Sequence, residues 1–257
     1  MILLSTASLQ GYGVHRMFEF VKEAGYDGID LYLHAKNHDL WDADYLKELS
    51  DEHDVAIPSI TVATRGMSEK KVDQIVQIAT TLKTQLITFT PPHFTDKNTT
   101  WFTRYLNRIK RDTHLSIAVK NVEPKFILFV IPEYKSSTLM DIKKVTGDTA
   151  LDLASIDASS GMDILKAQKI LGSTVKNVFL GDKHGNKTGL LPGGSGGGVS
   201  YLPLESFLLK MKTTGYNGFI TLKVKPQELG VGNKQRVMQN LEYAKKYYKK
   251  HFLDYKA

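Results

Sequence analysis

Charged side chains stand at the ends of apolar segments at three places in this 257-residue sequence. They are Glu133, Asp152 and Lys223, and each is preceded by apolar residues in a run that is typical of a buried strand. A charge in such a place is costly for the fold unless it is paired or bound to a ligand. A carboxylate can take up a proton and an ammonium can stabilise a negative oxygen, so these three are candidate catalytic residues.

Four further polar side chains lie in or just after other predicted strands: Asp30, His93, Asp182 and His184. We interpret them as candidate substrate-binding residues, because polar side chains that converge on one end of a set of strands form a site. The alternative is that some of them face the surrounding helices or take part in structural ion pairs.

A near-repeat at the two ends of the chain indicates which elements position these residues. Ala24–Leu31 has the sequence AGYDGIDL, and Thr214–Leu222 has the sequence TGYNGFITL. Each follows a helical pattern and leads into an apolar strand. Gly25 and Gly215 suit the left-handed residue that ends a helix. A chain that makes the same helix–turn–strand step near both ends is typical of a fold built from repeated βα units.

Strand-like segments recur at the interval of a βα unit. We predict them at Ile2–Ala7, Gly28–Leu33, Ala56–Val62, Thr84–Phe89, Phe126–Ile131, Thr149–Leu153, Val175–Leu180 and Phe219–Val224. Strands that alternate with helices in this way predict an α/β protein with a single (β/α)8 TIM barrel, which spans residues 1–257 as one domain. An open doubly wound sheet is the alternative. In a barrel the candidate residues would meet at the C-terminal ends of the strands, where such folds bind ligands.

The composition excludes several classes of protein. The chain has no cysteine, which excludes disulfides and thiolate catalysis and suits a reducing cytoplasm. It has no apolar run long enough to span a membrane, and its N-terminus lacks the pattern of a signal peptide. The net charge of +7 is too diffuse to predict nucleic-acid binding. We therefore expect a cytoplasmic protein without a membrane or nucleic-acid partner.

The order of these motifs resembles a known family, the xylose-isomerase-like sugar phosphate isomerase/epimerase barrels, which also include the type IV endonucleases. The similarity rests on AGYDGID at Ala24–Asp30, on the Glu133 segment, on Leu151-Asp152, on Leu180-Gly181-Asp182 and on the second glycine step. It covers essentially the full length. It implies a small carbohydrate-like substrate and a proton that is moved at the carbon next to a carbonyl group.

The resemblance also implies a divalent metal (Mn, Mg or Zn) held by residues from strands five to eight. It assigns Glu133 as the first ligand and Asp152 as the second, while the third and fourth positions fall on Phe179 and Lys223. A phenyl ring offers no lone pair to a hard cation, and an ammonium repels it. We therefore hypothesise that Lys223 replaces the metal and pairs with the two carboxylates.

Two alternatives to this arrangement stay open. If the alignment with the ligand positions of the family is shifted by a few residues, Asp182, His184 or Glu228 can supply replacement ligands, and the metal site is retained. Lys223 can also be considered as a Schiff-base lysine, but two carboxylate neighbours would raise its pKa and keep it protonated.

Three functions are compatible with these residues. The first is an isomerase or epimerase of a sugar, sugar phosphate or keto acid, with Glu133 as general base or ligand, Asp152 as a ligand or orienting group, and Lys223 polarising the carbonyl oxygen. The second is a degenerate barrel that binds a sugar without turnover. The third is a relative of the abasic-site endonucleases, which the loss of two ligand positions disfavours. The sequence leaves a homo-oligomer open.

Overall fold

The computed structural model describes residues 1–34, 37–96, 100–128, 130–135, 137–156, 161–194 and 202–254. Its strands are β1 (Ile2–Ser5), β2 (Gly28–Leu33), β3 (Ser59–Val62), β4 (Leu86–Phe89), β5 (Ser116–Lys120), β6 (Phe126–Ile127), β7 (Ile131–Pro132), β8 (Asp148–Asp152), β9 (Val175–Leu180), β10 (Asp182–His184), β11 (Lys187–Leu190) and β12 (Phe219–Leu222). Its α-helices are α1 (Val14–Ala24), α2 (Ala43–His53), α3 (Glu69–Thr81), α4 (Thr100–Asp112), α5 (Leu139–Thr146), α6 (Ile164–Leu171), α7 (Leu204–Thr213), α8 (Pro226–Leu229) and α9 (Lys234–Tyr248). Within these ranges, every helix is too short or too polar to cross a membrane.

Eight of the strands are parallel and close into a barrel, which confirms the predicted fold class. Their order around the barrel is β1-β12-β9-β8-β5-β4-β3-β2. The remaining pairs, β6–β7 and β10–β11, are antiparallel hairpins outside the barrel. Because the eight strands run in one direction, their C-terminal ends share one mouth of the barrel.

Side chains fill the inside of the barrel. Leu86, Ala118, Ala150 and Phe179, which come from four neighbouring strands, form one buried apolar cluster, and Phe219 packs against it. A filled interior is typical of this architecture and keeps the strands at fixed distances. Side chains at the mouth therefore project from a rigid base.

The near-repeat at the chain ends is one structural step made twice. Gly25 ends α1 with a φ of 65°, and Gly215 follows α7 with a φ of 73°. Both angles lie in the left-handed region, which glycine adopts without steric strain. A Cβ atom on Gly28 or Gly218 would lie 2.7 Å or 2.5 Å, respectively, from a backbone carbonyl oxygen of a neighbouring segment. The two glycines of each copy thus let the chain turn sharply and enter the barrel close to its neighbour.

The prediction of the fifth barrel strand is wrong. That strand is Ser116–Lys120, and the predicted segment Phe126–Ile131 forms the hairpin β6–β7 instead. The side chains of Leu128 and Val130 in this hairpin are 78% and 75% exposed. Hydrophobicity alone favoured the hairpin because β5 is a shorter apolar run that ends in a charged residue. The consequence is that Lys120, rather than Glu133, stands at the C-terminal end of the fifth barrel strand.

Candidate active site at the mouth of the barrel

Three charged side chains meet at the mouth and form what we term the lysine–aspartate cluster: Lys120, Asp152 and Lys223. Lys120 ends β5, Asp152 ends β8, and Lys223 directly follows β12. Lys120 Nζ donates a hydrogen bond of 2.8 Å to Asp152 Oδ2, and Lys223 Nζ donates one of 2.6 Å to the same oxygen. The side chains of Lys120 and Asp152 are 8% and 5% exposed, whereas that of Lys223 is 30% exposed. One buried carboxylate oxygen therefore holds two ammonium groups.

Two neighbouring side chains, Asn121 and Phe179, hold the lysine–aspartate cluster in place. Asn121 binds the backbone of Asp152 twice: its Oδ1 accepts from the amide nitrogen at 2.7 Å, and its Nδ2 donates to the carbonyl oxygen at 2.9 Å. The Nζ atoms of Lys120 and Lys223 lie 5.5 Å and 5.4 Å from the centroid of the Phe179 ring. The ring face attracts cations at this distance. Phe179 thus supports the two ammonium groups.

The three groups differ in their proton affinity. Burial would raise the pKa of Asp152, but the two ammonium groups together outweigh it and hold that pKa well below its usual range. Burial lowers the pKa of Lys120 to about 8; Asp152 opposes this shift, and the charge of Lys223 adds to it. Burial also acts to lower the pKa of Lys223, but the charge and hydrogen bonds of its neighbours exceed that effect and raise it. Lys223 is therefore the ammonium of the pair in the resting site, while Lys120 loses its proton more readily than an ordinary lysine.

A cavity of about 440 Å³ lies over the cluster. Its lining includes Lys120 and Lys223 together with Glu123, Glu133 and Tyr134. The cavity has the size of a small-molecule site, and its lining combines ammonium, carboxylate and phenol groups. These are the groups that acid–base chemistry on a small polar molecule needs.

A second cavity of about 550 Å³ adjoins the first. Tyr32 and His34 line both cavities, and the second is also lined by Trp41, Arg65 and Met67. An aromatic ring and a thioether offer apolar surface, and a guanidinium can bind a phosphate or carboxylate in a bidentate manner. The mouth therefore has room for a substrate that extends beyond its reacting carbon.

Glu133 reaches the first cavity from the hairpin and not from a barrel strand. Its amide nitrogen donates to the carbonyl oxygen of Lys125 at 2.7 Å, across the base of the hairpin. Its own carbonyl oxygen accepts from the amide nitrogen of Phe94 at 2.9 Å, and Lys135 N donates to Pro92 O at 2.8 Å. The loop after β4 thus pairs with the hairpin and holds Glu133 at the mouth. The prediction that Glu133 ends the fifth barrel strand is corrected, while its placement at the mouth agrees with the structure.

His93 has a positioning role in the same loop. It is 4% exposed, its Nδ1 atom lies 2.7 Å from Thr95 Oγ1, and its backbone pairs with Tyr134. The two rings are also in edge contact, with centroids 6.0 Å apart. His93 does not line the cavity over the cluster. The contacts of His93 with Tyr134 indicate a positioning role, and a contact of His93 with substrate stays a prediction.

Asp30 lies inside the barrel and is fully buried. Its carboxylate accepts hydrogen bonds from Ser5 Oγ at 2.9 Å, Ser59 Oγ at 2.8 Å and Thr61 Oγ1 at 2.8 Å. Burial raises the pKa of Asp30, and these three hydroxyl groups act in the opposite direction. Since its oxygens are held by side chains of β1 and β3, Asp30 links its own strand, β2, to both neighbours. The prediction that it contacts substrate is corrected to a structural role.

The hairpin β10–β11 contains the two remaining predicted residues. Asp182 is fully buried, and its Oδ1 atom accepts from the amide nitrogens of Lys183 at 2.8 Å and Leu202 at 3.0 Å. His184 is exposed on the hairpin. Neither residue lines the cavity over the cluster. Asp182 therefore organises the loop after β9, and the substrate contacts of both residues stay predictions.

Lys120 is the functional candidate that sequence reasoning missed. The pattern that identified Lys223 also applies to it, because Ser116–Lys120 is an apolar segment that ends in a lysine. The segment was not predicted as a strand because the longer apolar run at Phe126–Ile131 was preferred. Once β5 is recognised as a barrel strand, one pattern describes all three residues of the cluster. Lys120, Asp152 and Lys223 are charged residues at the C-terminal ends of β5, β8 and β12.

The residues at the four strand ends do not fit a divalent metal. With β5 in place of the predicted fifth strand, the C-terminal ends of β5, β8, β9 and β12 provide two ammonium groups, one phenyl ring and one carboxylate: Lys120, Lys223, Phe179 and Asp152. The remaining carboxylate already accepts from both lysines through Oδ2. A hard cation needs several oxygen or imidazole donors, and ammonium groups at contact distance repel it. We therefore assign no metal ligand at the mouth, and Glu133 and Asp152 keep other roles.

A different group of possible ligands lies on the outer surface. Among the residues that the structure describes, His15, Glu52 and His53 are the only three whose ligand atoms come within 4.8 Å of one another. They belong to α1 and α2 and do not line the cavity over the cluster. A metal measured in solution can therefore come from this surface group.

We expect the mouth to take up no Mn²⁺, Mg²⁺ or Zn²⁺. The measurement is the metal content of the desalted protein after incubation with each ion, for the wild type and for a His15→Ala, His53→Ala double variant. Any metal bound by the wild type should be lost in the double variant, because that variant removes two ligands on the surface. Stoichiometric metal in the double variant would contradict the assignment of the mouth.

Comparison with known proteins supports the fold. No protein-family model matches the sequence, and a search of curated proteins finds no significant relative. Among solved structures, the chain is similar to a D-allulose 3-epimerase from Methylomonas sp. in complex with D-allulose, with a TM-score of 0.73 and 15% identity over 98% of this chain and 96% of that one. It is also similar to the IOLI protein "with a binding zinc atom", with a TM-score of 0.72 and 15% identity over 98% and 99% of the two chains.

A third similar structure is a xylose isomerase domain protein from Alicyclobacillus acidocaldarius. The TM-score is 0.67, and the identity is 14% over 96% of this chain and 98% of that one. At this level of identity the likeness establishes the architecture and leaves the reaction to the site residues. The chain has the fold of the xylose-isomerase-like TIM-barrel proteins, as the motifs predicted.

Proposed function

We propose that this protein is an isomerase or epimerase that moves a proton next to the carbonyl group of a small sugar, sugar phosphate or keto acid, without a metal ion. The observation that carries the proposal is the ammonium group of Lys223, which is held on Asp152 and lines a cavity that also contains Glu133. An electrophile and a base in one cavity are the two groups that this reaction requires.

Lys223 acts on the carbonyl oxygen of the substrate. An ammonium has three N–H donors, and the bond to Asp152 uses one of them. Since the neighbours of Lys223 raise its pKa, it remains charged while negative charge develops on the substrate oxygen. The cluster as a whole carries one excess positive charge when all its groups are ionised. This charge is present before the reaction begins, which is the condition for electrostatic stabilisation of an enediolate.

Glu133 and Tyr134 act on the protons. The carboxylate of Glu133 takes the proton from the carbon next to the carbonyl and returns it to the same or the neighbouring carbon. Burial, together with the charge of Glu133, raises the pKa of Tyr134, so its phenol stays protonated and can donate a hydrogen bond to a substrate hydroxyl. Return of the proton by Glu133 to the neighbouring carbon gives an isomer. An epimer forms when a second acid of the cavity delivers a proton to the same carbon from the opposite face.

The second cavity supports the choice of substrate class. Trp41 and Met67 offer apolar surface, and Arg65 offers a guanidinium to an anionic group. A sugar phosphate or a keto acid has both an apolar carbon face and an anionic end. One of the structural neighbours is a complex with D-allulose, which makes this ketose a suitable first compound to test.

A sugar-binding barrel without turnover is the second candidate function. It is favoured by the pairing within the cluster, in which Asp152 already accepts hydrogen bonds from both lysines. The endonuclease hypothesis has less support, because that chemistry needs a group of metal ligands at the mouth. In the described part of the chain such a group occurs only on α1 and α2.

Exchange of substrate hydrogen for deuterium distinguishes these functions. The protein is incubated in D2O with D-allulose, dihydroxyacetone phosphate or pyruvate, and deuterium at the carbon next to the carbonyl is followed by NMR. An isomerase or epimerase incorporates deuterium into one of these compounds. A binding protein is stabilised against heat by the compound without incorporating deuterium.

Replacement of Glu133 by glutamine is expected to slow this exchange by about 10²–10⁴-fold, since the amide cannot accept the proton. Glu123→Gln is the matched control, because Glu123 lines the same cavity but is paired with Lys183 at 3.2 Å. The control should lose less than about 10-fold. Undiminished exchange in Glu133→Gln, with the fold intact by circular dichroism, would show that Glu133 is not the base.

A further inference from the structure

Lys120 is a second lysine in the cavity, and polarisation of a carbonyl by Lys223 does not use it. We propose that Lys120 is a nucleophile that forms an imine with the substrate carbonyl carbon, so that the site takes aldehydes, ketoses or keto acids with an accessible carbonyl. This inference rests on the proposed function only in placing the carbonyl group in the cavity over the cluster.

The position of Lys120 suits a nucleophile. It lines the cavity, yet its side chain is only 8% exposed, so most of its stem lies within the barrel. Its Nζ atom is fixed from two sides, by Asp152 Oδ2 at 2.8 Å and by the Phe179 ring at 5.5 Å. A side chain held in this way meets a bound carbonyl carbon in a defined direction, which lowers the entropic cost of the reaction.

The two lysines are arranged so that one can be an amine while the other is an ammonium. Burial and the positive charge of Lys223 favour the neutral form of Lys120, and its pKa falls to about 8 although Asp152 opposes the shift. The pKa of Lys223 is raised. A lysine becomes nucleophilic when it is desolvated next to another cation. The same pair therefore supplies both the nucleophile and the acid for addition to a carbonyl group.

The addition is balanced within the cluster. The lone pair of Lys120 Nζ forms a bond to the carbonyl carbon, and Lys223 gives a proton to the carbonyl oxygen. The new C–N nitrogen then returns a proton to Lys223, which leaves a neutral carbinolamine. Lys223 protonates the hydroxyl group, the C–O bond breaks, and water leaves as the C=N bond forms. The product is a protonated imine, with Asp152 as its counterion and Lys223 as a neutral amine.

The imine has a consequence for the proton transfer. Before the reaction the positive charge that balances Asp152 belongs to Lys223, and afterwards it belongs to the nitrogen that is bonded to the substrate. Removal of the adjacent proton by Glu133 then gives a neutral enamine in place of an enediolate. No oxidant or reductant is needed, and hydrolysis of the imine restores both lysines.

Reductive trapping tests the proposal. The full-length protein is incubated at pH 7.5 with dihydroxyacetone or pyruvate and sodium borohydride, and the reduced adduct is located by mass spectrometry of peptides. We expect one dominant adduct, on Lys120. Adducts that form at equal rates on surface lysines, or no adduct at all, would overturn the proposal.

Three variants make the result specific. Lys120→Arg keeps a cation for Asp152 but removes the nucleophilic amine, so the adduct should disappear. Lys223→Met keeps Lys120 but removes its acid and neighbouring charge, and trapping at pH 7.5 should slow at least ~10-fold. Lys183→Arg is the control, since Lys183 is paired with Glu123 and should leave trapping unchanged. Should Lys120→Arg fail to fold, Lys223→Met and the location of the adduct decide the question alone.

The outcome is separable from the outcome for the proposed function. Deuterium exchange without an adduct would overturn the imine and leave the isomerase or epimerase function standing. An adduct on Lys120 without deuterium exchange would support the imine, and the proposed function would then fail.

Discussion

Asp152→Asn is expected to lower the free energy of unfolding by about 3–5 kcal/mol, because it leaves two ammonium groups at the mouth without their shared anion. The side chain keeps its shape, so the effect comes from charge rather than from packing. Both lysines donate to one oxygen of Asp152, at 2.8 Å and 2.6 Å, and an amide oxygen cannot neutralise either of them. Urea unfolding of the two proteins at pH 7 measures the difference.

The same strand provides a matched control at its other end. Asp148 in β8 also contacts two lysines, Lys110 at 2.6 Å and Lys176 at 3.7 Å, but these side chains are 33% and 41% exposed. Water screens such pairs, so Asp148→Asn should cost less than about 1 kcal/mol. Equal losses in the two variants would mean that the cluster at the mouth is solvated, and that its charges are not held in a buried site.

The second large effect is a dependence of stability on pH that is traced to Lys120. Its pKa is about 8 in the folded protein against 10.5 for an ordinary lysine. Below pH 8 both the folded and the unfolded states hold the proton, and Lys120 adds no pH dependence. Between pH 8 and 10.5 the unfolded state binds more protons, so the free energy of unfolding rises with pH, by up to ~1.4 kcal/mol per unit.

Comparison with Lys120→Met isolates this contribution. The difference in the free energy of unfolding, wild type minus variant, should be constant from pH 6 to 7.5 and should increase by more than ~1 kcal/mol between pH 8 and 10. Denaturant unfolding at each pH gives both values. A difference that stays flat to pH 10 would show that Lys120 titrates like an exposed lysine, and the imine proposal would lose its chemical basis.

Much of the fold was predictable from local patterns. The two copies of the helix–turn–strand step have the same glycines in the same conformations, because a left-handed residue and a close backbone contact each demand glycine. The fifth strand was not predictable from hydrophobicity. The exposed run in β6–β7 is more apolar than Ser116–Lys120, and only the closure of the barrel shows which of the two is a barrel strand.

Two residues of the candidate site were predictable from the sequence, whereas the role of Asp30 depends on how the strands pair. Asp152 and Lys223 follow from the rule that charges at strand ends mark a candidate site, and the structure brings them within hydrogen-bond distance. Asp30 lies inside a strand and has a structural role, because its partners Ser5 and Ser59 come from the two neighbouring strands. Partners of that kind depend on strand register, which a single sequence does not contain.

The hairpin that carries Glu133 has a consequence for how this fold can diverge. Glu133 belongs to an insert between β5 and α5 that is anchored through backbone hydrogen bonds to the loop after β4. Backbone hydrogen bonds tolerate any side chain except that of proline at the donor position, so most substitutions in the insert leave its attachment intact. The charged cluster stays on the barrel throughout. A substitution at Glu133 can therefore change the acid or base of the cavity while the insert stays attached and the lysine–aspartate cluster stays intact.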